Sequence, residues 1–216
     1  MILITGASDG LGKEVARQYK SEGKTVINLS RTENADVDTI SVDLTDPDSI
    51  RTAAMAVLGY AEPIEVLINC AGVLSLEPLN AIRPEEIARV FGVNIIGAMQ
   101  LTSLLIDRIK HDGGDIVNVA STTGTKAYEN QAAYGSSKWA MRGFSQNLQL
   151  ELKGTNVRVI SFCVGGFNSR IAEKAGDEPI TEPDKWMNPH DIAIALRQML
   201  ALPKIMEVSE VIINRK

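Results

Sequence analysis

The sequence predicts a doubly wound α/β fold, in which helices cover both faces of a seven-stranded parallel sheet to form a three-layer sandwich. Short, nearly continuous apolar segments alternate with longer amphipathic segments along the whole chain, as expected for buried parallel strands and their crossover helices. Glycine, proline and small polar residues separate the two kinds of segment. A chain of 216 residues with 44% hydrophobic residues is large enough for a full core, and we expect one domain spanning 1–216.

The strands and helices follow from these segments in order. We predict strands at 1–5, 25–29, 39–42, 64–69, 115–120, 157–163 and 208–213, and helices at 10–22, 46–60, 84–110, 131–153 and 189–202. Gly23 follows the first helix as a favourable C-terminal residue, and Pro47 lies near the start of the second. Pro84 begins the third helix and Gly154 follows the fourth. The last helix has Asn188 as its N-cap.

One crossover is predicted to lack a helix. Residues 30–38, between the second and third strands, are nine mostly polar residues. That length is too short for a regular crossover helix, so we predict a loop there.

The charge and hydropathy patterns exclude several classes of protein. The formal net charge is -5, and no basic block or stripe is present to neutralise phosphates, so nucleic acid is not an expected partner. No apolar run approaches the roughly 20 residues that span a bilayer, so no membrane partner is expected. The first apolar run ends at Ile4, before a glycine turn, and leaves no room for a secretory signal. We therefore predict a cytoplasmic protein.

The cysteines and histidines do not form the clusters that metals or disulfide scaffolds require. Cys70 and Cys163 are the only cysteines, and both end apolar runs, which favours reduced core thiols. His111 and His190 have no Cys, His or acidic neighbours at the spacing of metal ligands. We predict no metal site.

A glycine-rich turn follows the first predicted strand and precedes the first helix. Residues 5–12 read TGASDGLG. Gly6 permits a tight strand-to-helix turn, Gly10 leaves room for a pyrophosphate to approach the backbone, and Gly12 lets the helix pack close to the strand. The helix N-terminus adds free N–H groups and partial positive charge. An ordinary turn is the alternative, but in this position the pattern favours dinucleotide binding.

The end of the second strand bears on the choice of dinucleotide. An acidic residue there would accept a hydrogen bond from a ribose 2′-hydroxyl, whereas an arginine accommodates a 2′-phosphate. The sequence has Ser30 followed by Arg31. This pair favours NADP(H) over NAD(H), although Arg31 could instead be a solvated loop charge.

Tyr134 and Lys138 form the strongest chemical motif of the chain. They lie four residues apart on the fourth predicted helix and so share one face of it. An ammonium about 5 Å from a phenolate contributes roughly 3 kcal/mol, which is expected to lower the tyrosine pKa by about two units. A surface Tyr and Lys is the alternative when the pair stands alone. Ser121, however, ends the fifth strand, at the edge where α/β sheets bind ligands.

These motifs together resemble those of the short-chain dehydrogenase/reductase family, a Rossmann-like family, over essentially the whole chain. Ser121, Tyr134 and Lys138 match its catalytic trio. Asn94 matches the helix asparagine that anchors a water in its proton relay. Asp43 matches the acid that contacts the adenine. The resemblance therefore implies that Asn94, Ser121, Tyr134 and Lys138 are the catalytic residues.

Two loops resemble the family pattern with substitutions. Residues 69–72 read NCAG, with Cys70 in place of the second Asn of N-N-A-G. Residues 164–169 read VGGFNS and resemble P-G-x-V-x-T, with Val164 in place of Pro and Ser169 in place of Thr. The resemblance implies the following cofactor-binding residues: Thr5, Gly6, Ser8, Gly10, Leu11, Gly12, Ser30, Arg31, Asp43, Leu44, Asn69, Ala71, Gly72, Tyr134, Lys138, Gly165, Phe167 and Ser169.

The function implied by this resemblance is hydride transfer between NADP(H) and a small carbonyl or alcohol. The family also implies a mobile substrate loop, here 168–188, and a homodimer or homotetramer. A non-catalytic NADP(H)-binding sensor on the same fold is the main alternative, since fold alone does not determine function. A sugar-nucleotide epimerase is disfavoured because fewer than 50 residues follow Ser169.

Overall fold

The computed structural model describes all residues, 1–216, and contains one seven-stranded sheet. All neighbouring strands are parallel, in the order β3-β2-β1-β4-β5-β6-β7. The strands are β1 Ile2–Thr5, β2 Val26–Leu29, β3 Asp38–Ile40, β4 Val66–Asn69, β5 Asp115–Ser121, β6 Val159–Val164 and β7 Glu210–Ile213. The seven-stranded parallel sheet predicted from the sequence is confirmed.

Helices cover both faces of this sheet. They are α1 Gly10–Ser21, α2 Pro47–Leu58, α3 Pro84–Phe91, α4 Gly97–Asp112, α5 Ala132–Glu151, α6 Ile171–Lys174 and α7 Pro189–Leu200. Residues on α2, α4 and α5 share one buried apolar cluster with the sheet, and residues on α1 and α7 share another. Alternate residues of β1 enter opposite clusters, Leu3 one and Ile4 the other, because successive strand side chains point to opposite faces. The three predicted layers are therefore present.

Most predicted boundaries are shifted by only a few residues, but two features differ from the expectations. The third predicted helix is interrupted: a π-helical turn at Gly92–Ile96 joins α3 to α4. The predicted substrate loop 168–188, called the lid below, contains the short helix α6, which the sequence analysis did not predict. The connection between β2 and β3 contains no helix, as predicted.

The helical stretch Pro84–Asp112 corrects the expectation that no segment could span a bilayer. It is long and apolar enough to do so by length and composition alone. Half of its most apolar stretch is buried against the rest of the protein, as in the core helix of a globular fold.

Candidate active site

The candidate site lies where the strand order reverses direction. β1 lies between β2 and β4, and ligands of open α/β sheets bind beyond the carboxyl ends of such strands. Thr5 ends β1, and its hydroxyl accepts hydrogen bonds from the amides of Cys70 and Ala71, both at 3.0 Å. This buried threonine therefore ties the glycine-rich turn to the loop that follows β4.

The glycines of the turn have the geometry that dinucleotide binding requires. Gly6 has φ +73°, and a Cβ there would lie 2.9 Å from the Ala71 Cα. A Cβ on Gly12 would lie 2.5 Å from the Gly6 carbonyl oxygen, so helix and strand could not approach as they do. Gly10 is different, because a Cβ there would approach no atom closer than 3.8 Å. The backbone at Gly10 therefore faces Ser169 and Phe167 without a clash. The turn, free of side chains at Gly10 and Gly12 at the start of α1, fits a dinucleotide pyrophosphate.

Two buried asparagines hold this turn, and the sequence analysis missed both. Asn28 Oδ1 accepts the Ala7 amide at 3.0 Å. Asn34 Nδ2 donates to the Ala7 carbonyl at 2.7 Å. Both backbone groups of Ala7 are thus bonded to side chains from β2 and the loop after it. Polar residues inside or just after a buried strand were the available sequence signal.

The residues predicted to contact the adenosine half lie together at the ends of β2 and β3. The guanidinium of Arg31 is mostly exposed and lies 3.6 Å from the Asp43 carboxylate. Asp43 also accepts hydrogen bonds from the amide and hydroxyl of Thr45, which, with Arg31, lower its pKa. The Ser30 hydroxyl donates to the Thr32 carbonyl at 2.7 Å. Leu44 is buried in the core, so only its backbone is available to a ligand.

Ser121, Tyr134 and Lys138 meet at the carboxyl end of β5. Ser121 is the last residue of β5, and Tyr134 and Lys138 lie on α5. Lys138 is only 4% exposed, and its Nζ lies 5.8 Å from the centre of the Tyr134 ring. This ammonium donates to the Val119 carbonyl at 3.0 Å and has no carboxylate partner. The helix thus places a buried cation beside the phenol.

The electrostatics of this trio differ from the sequence expectation. Shielding from water raises the pKa of Tyr134, and a hydrogen bond with the Ser121 hydroxyl opposes only part of the rise. The expected lowering by Lys138 is not found: its ammonium is directed to the Val119 carbonyl, and only the Ser121 hydroxyl opposes the effect of burial on the phenol. Burial also lowers the pKa of Lys138 to about 8. Tyr134 is therefore protonated at neutral pH.

Asn94 lies inside the π-helical turn, and helical irregularities of this kind are frequent at functional sites. Its Oδ1 accepts the Val73 amide at 2.8 Å, and its Nδ2 donates to the Val73 carbonyl at 2.9 Å. Nδ2 also donates to the Ser137 hydroxyl at 3.0 Å. The side chain therefore joins the loop after β4 to α5 between Tyr134 and Lys138.

Gly72 lies against both Lys138 and Asn94. A Cβ on Gly72 would lie 3.5 Å from Lys138 Nζ and 3.6 Å from Asn94 Oδ1. Asn69, the other polar residue predicted in this loop, instead lies in a buried ladder, where its amide donates to Thr102 and Asn118. The side chain of Asn69 thus joins the carboxyl end of β4 to β5, and only its backbone remains available to a cofactor.

The loop after β6 completes the floor of the site. The Gly165 amide bonds to the Ile213 carbonyl at 2.8 Å, and Phe167 forms a bridge with Met187. Ser169 lies beside the glycine-rich turn, with its Cβ 3.8 Å from the position of a Gly10 Cβ. Trp186 packs on Gly166, where any Cβ would lie 2.6 Å from its ring, and also contacts the Arg215 guanidinium at 4.4 Å.

Arg142 is a further residue that the sequence analysis missed. It lies one helical turn after Lys138, and its guanidinium donates to the Gly124 carbonyl and to both carboxylate oxygens of Glu210 on β7. This bidentate pair holds the turn that follows Ser121. Spacing by four residues from Lys138 was the available signal.

The two cysteines are free thiols, as predicted. Cys163 is buried, and Cys70 is half-buried beside the site. Burial raises the pKa of Cys70 to about 11, so its thiol is neutral at physiological pH. No cluster of three or more potential metal ligands is present.

The arrangement at the sheet edge agrees with a comparison against known protein families. The family profile described as short chain dehydrogenase matches residues 1–179. This chain belongs to the short-chain dehydrogenase/reductase family. As a member of that family it is an oxidoreductase that acts on CH–OH or C=O groups of small molecules.

Curated relatives of this short-chain dehydrogenase/reductase include several reductases. A 3-oxoacyl-(acyl-carrier-protein) reductase from Thermotoga maritima is 32% identical over 187 residues, which are 80% of this chain and 76% of the relative. An NADP-dependent 3-hydroxy acid dehydrogenase from Salmonella typhi is 29% identical over 230 residues, which are 98% of this chain and 93% of the relative.

Solved structures of similar fold cover nearly the whole chain. An alcohol dehydrogenase from Thermococcus sibiricus, complexed with 5-hydroxy-NADP, has a TM-score of 0.88 at 24% identity and covers 98% of this chain and 95% of its own. A 3-ketoacyl-(acyl-carrier-protein) reductase from Brucella melitensis, complexed with NADH, has a TM-score of 0.87 at 22% identity, with coverages of 99% and 96%. At these identities, the likeness shows the shared fold.

Proposed function

We propose that this protein is an NADP(H)-dependent reductase of small carbonyl compounds that uses Ser121, Tyr134 and Lys138. The observation that carries the proposal is the buried, unpaired ammonium of Lys138. Burying a lysine costs stability unless it is paired, and such groups cluster at functional sites. By contrast, the buried guanidinium of Arg158 has Asp115 as a bidentate partner. Lys138 has only a carbonyl, and it lies beside the tyrosine.

The residues of the chain support a reductive mechanism. The nicotinamide cofactor, when bound over the glycine-rich turn, supplies the hydride. The hydroxyls of Ser121 and Tyr134 hold the substrate oxygen and polarise the carbonyl. Tyr134 then donates its proton to that oxygen. Its raised pKa keeps it protonated at neutral pH, which suits a general acid better than a general base.

Lys138 and Asn94 support this proton donor. The ammonium stabilises the phenolate that remains after proton transfer, since opposite charges at this distance attract strongly inside a protein. Asn94 fixes the distance between the loop after β4 and α5, because its amide is bonded to both. We propose that the π-helical turn around Asn94 also supports the water that resupplies the proton to Tyr134.

Replacing Tyr134 with phenylalanine tests the mechanism and separates the enzyme from a non-catalytic sensor. We expect Tyr134→Phe to lower kcat by about 10²- to 10⁴-fold in a protein that still binds NADPH, because the proton donor is removed and the rest of the cofactor site is kept. The measurement is turnover on a panel of small aldehydes and ketones, with fluorescence titration of NADPH. A wild-type protein that binds NADPH but reduces no carbonyl in the panel would support the sensor instead.

The proposed preference for NADP(H) rests on Arg31 at the end of β2. Its guanidinium is mostly exposed and only loosely paired with Asp43, so it is free to bind a 2′-phosphate. We expect Arg31→Ala to weaken NADPH binding about tenfold and to leave NADH binding unchanged. Arg51→Ala, which removes an exposed arginine of α2 paired with Asp48, is the matched control. Equal or tighter binding of NADH by the wild-type protein would contradict the preference.

We further propose that the protein is a cytoplasmic homodimer or homotetramer. An apolar groove lies between α4 and α5, lined by Ile95, Met99, Ile106, Phe144 and Leu148. Trp139 and Leu150 add exposed apolar surface on α5. Two helices that present this much apolar surface fit a second copy of themselves across a two-fold axis.

A further inference from the structure

Asp9, in the glycine-rich turn, joins the cofactor site to the lid. Its Oδ1 accepts the Gly10 amide at 2.8 Å and so caps α1. Its Oδ2 lies 2.5 Å from Lys174 Nζ and 3.4 Å from Arg170 Nε. Both cations come from the lid, 161 and 165 residues away along the chain.

The Asp9 carboxylate lies at the N-terminus of α1, where it would repel a bound phosphate. The first amides of a helix have no intrahelical partners and attract anions. Asp9 already occupies the amide of Gly10, and the amide of Gly12 is directed to the Cys70 thiol, which leaves that of Leu11 for a ligand. A carboxylate beside this amide would repel a pyrophosphate. The two lid cations reverse this charge: one carboxylate and two cations leave a net charge of +1 at the turn.

Neither cation has another acidic partner. Arg170 and Lys174 form ion pairs with Asp9 alone, whereas Lys185, also in the lid, is paired with Glu182. Burial by itself would raise the pKa of Asp9, but the hydrogen bonds from Lys174 and Gly10 lower it overall. Asp9 is therefore ionised at neutral pH and can hold both cations.

The lid also touches the turn through uncharged atoms. Ser169, which immediately precedes Arg170, lies against Gly10, with its Cβ 3.8 Å from the position of a Gly10 Cβ. The two cations therefore stand at the rim of the glycine-rich turn, where the proposed function places the pyrophosphate. Their remaining N–H groups are available to a second anion, since Lys174 carries three donors and Arg170 five.

We propose that Arg170 and Lys174 bind the pyrophosphate of the dinucleotide and that Asp9 positions them for it. The lid then contributes directly to cofactor affinity and closes over the cofactor by the same contacts. This inference rests on the proposed cofactor site and adds two binding residues and one positioning residue to it.

Titration with ADP-ribose, which contains the pyrophosphate but no nicotinamide, tests the proposal by calorimetry. We expect Lys174→Gln and Arg170→Gln each to weaken ADP-ribose binding by about three- to tenfold, as for exposed charge-assisted contacts. Binding of adenosine, which has no phosphate, should not change. Lys185→Gln is the matched control and should leave both unchanged. Unchanged ADP-ribose affinity in both lid variants would overturn the proposal.

Asp9→Asn distinguishes phosphate binding from mere neutralisation of Asp9, because asparagine can still cap α1. If the cations act only by cancelling the carboxylate, Asp9→Asn should restore wild-type affinity to the Lys174→Gln/Arg170→Gln protein. We expect the loss to persist in that triple variant, and full restoration would refute direct binding. A loss seen with NADPH but not with NADH would assign the cations to the 2′-phosphate and overturn the pyrophosphate assignment.

The proposed function fails separately from this inference. If the wild-type protein binds neither ADP-ribose nor NADPH, the cofactor site itself is wrong. If the wild-type protein binds both and the lid variants bind equally well, only the role of the lid is wrong.

Discussion

At the scale of single residues, the chemistry of the candidate site depends on a lysine that the fold keeps away from water. Lys138 donates to the Val119 carbonyl and has no carboxylate partner. Burial lowers its pKa to about 8, which at pH 7 corresponds to a cost of about 3 kcal/mol relative to the unfolded chain. In the proposed reaction, the same burial strengthens the attraction between this charge and the Tyr134 phenolate, since charges interact more strongly where water is excluded. The buried charge of Lys138 thus lowers the stability of the fold and strengthens the electrostatic support for the proposed reaction.

This cost predicts that a variant without the charge is more stable. We expect Lys138→Met to raise the free energy of unfolding at pH 7 by about 1–2 kcal/mol, because the unpaired Val119 carbonyl offsets part of the gain. The native lysine loses its proton near pH 8, whereas the unfolded lysine keeps it to about pH 10. Wild-type stability therefore rises with pH in that window, and the advantage of the variant shrinks.

Chemical denaturation at several pH values measures this difference. Lys153→Met, at an exposed lysine just after α5, is the control and should change stability little at any pH. A Lys138→Met protein that is less stable than the wild type at pH 7 contradicts the account of the buried charge.

At the scale of elements, the position of the helical rod from α3 to α4 decides where Asn94 lies. The rod lies against the loop after β3, and a Cβ on Gly97 would be 2.4 Å from the Leu44 carbonyl oxygen. In the π-helical turn, the Gly97 amide bonds to the Gly92 carbonyl, five residues earlier. One turn of backbone thus sets the positions of Asn94 on one side and of the segment around Asp43 on the other.

A methyl group at this contact should separate the two elements. We expect Gly97→Ala to destabilise the protein by about 1–3 kcal/mol, since the Leu44 carbonyl belongs to the backbone and cannot rotate away. Gly143→Ala on α5 is the matched control, because no atom lies within 4 Å of its Cβ position. There the change should stabilise by about 0.5–1 kcal/mol, through helix propensity alone. Urea unfolding of both variants measures the contrast, and equal effects would contradict it.

At the scale of the whole molecule, the two sides of the sheet differ in what they leave exposed. The groove between α4 and α5 is apolar, and Met99 at its edge is 44% exposed. The opposite side, formed by α1 and α7, has ion pairs on its surface, such as Glu14 with Arg17 and Arg197 with Glu22. Self-association is therefore expected through α4 and α5.

A charge in this groove should prevent self-association. We expect Met99→Glu to convert the proposed homo-oligomer to a smaller species, because the carboxylate would be buried without a partner at the interface. Met55→Glu, on α2 and outside the groove, replaces a methionine that is 67% exposed and should have no effect. Size-exclusion chromatography with light scattering measures the mass of each variant. A wild-type protein that is monomeric at all concentrations would exclude this interface.

Much of the fold and part of the candidate site could be predicted from the sequence, because the relevant signals are local. Continuous apolar runs identify strands buried on both faces, and the spacing of Tyr134 and Lys138 places them on one helix face whatever surrounds the helix. The tight turn at Gly6 follows from glycine alone, and its φ of +73° agrees. The order of motifs along the chain was sufficient to identify the family.

Only the tertiary structure decided which distant groups meet and how their charges behave. The contacts of Asn94 with Val73 and Ser137, of Arg142 with Glu210, and of Asp9 with Lys174 join residues 21 to 165 positions apart. Local patterns contain no information on such distances. The direction of the Tyr134 pKa shift was predicted wrongly for the same reason, since spacing gives the nearness of a charge but not the exclusion of water. Residue type and spacing thus determined which groups are present, and packing determined what surrounds each of them.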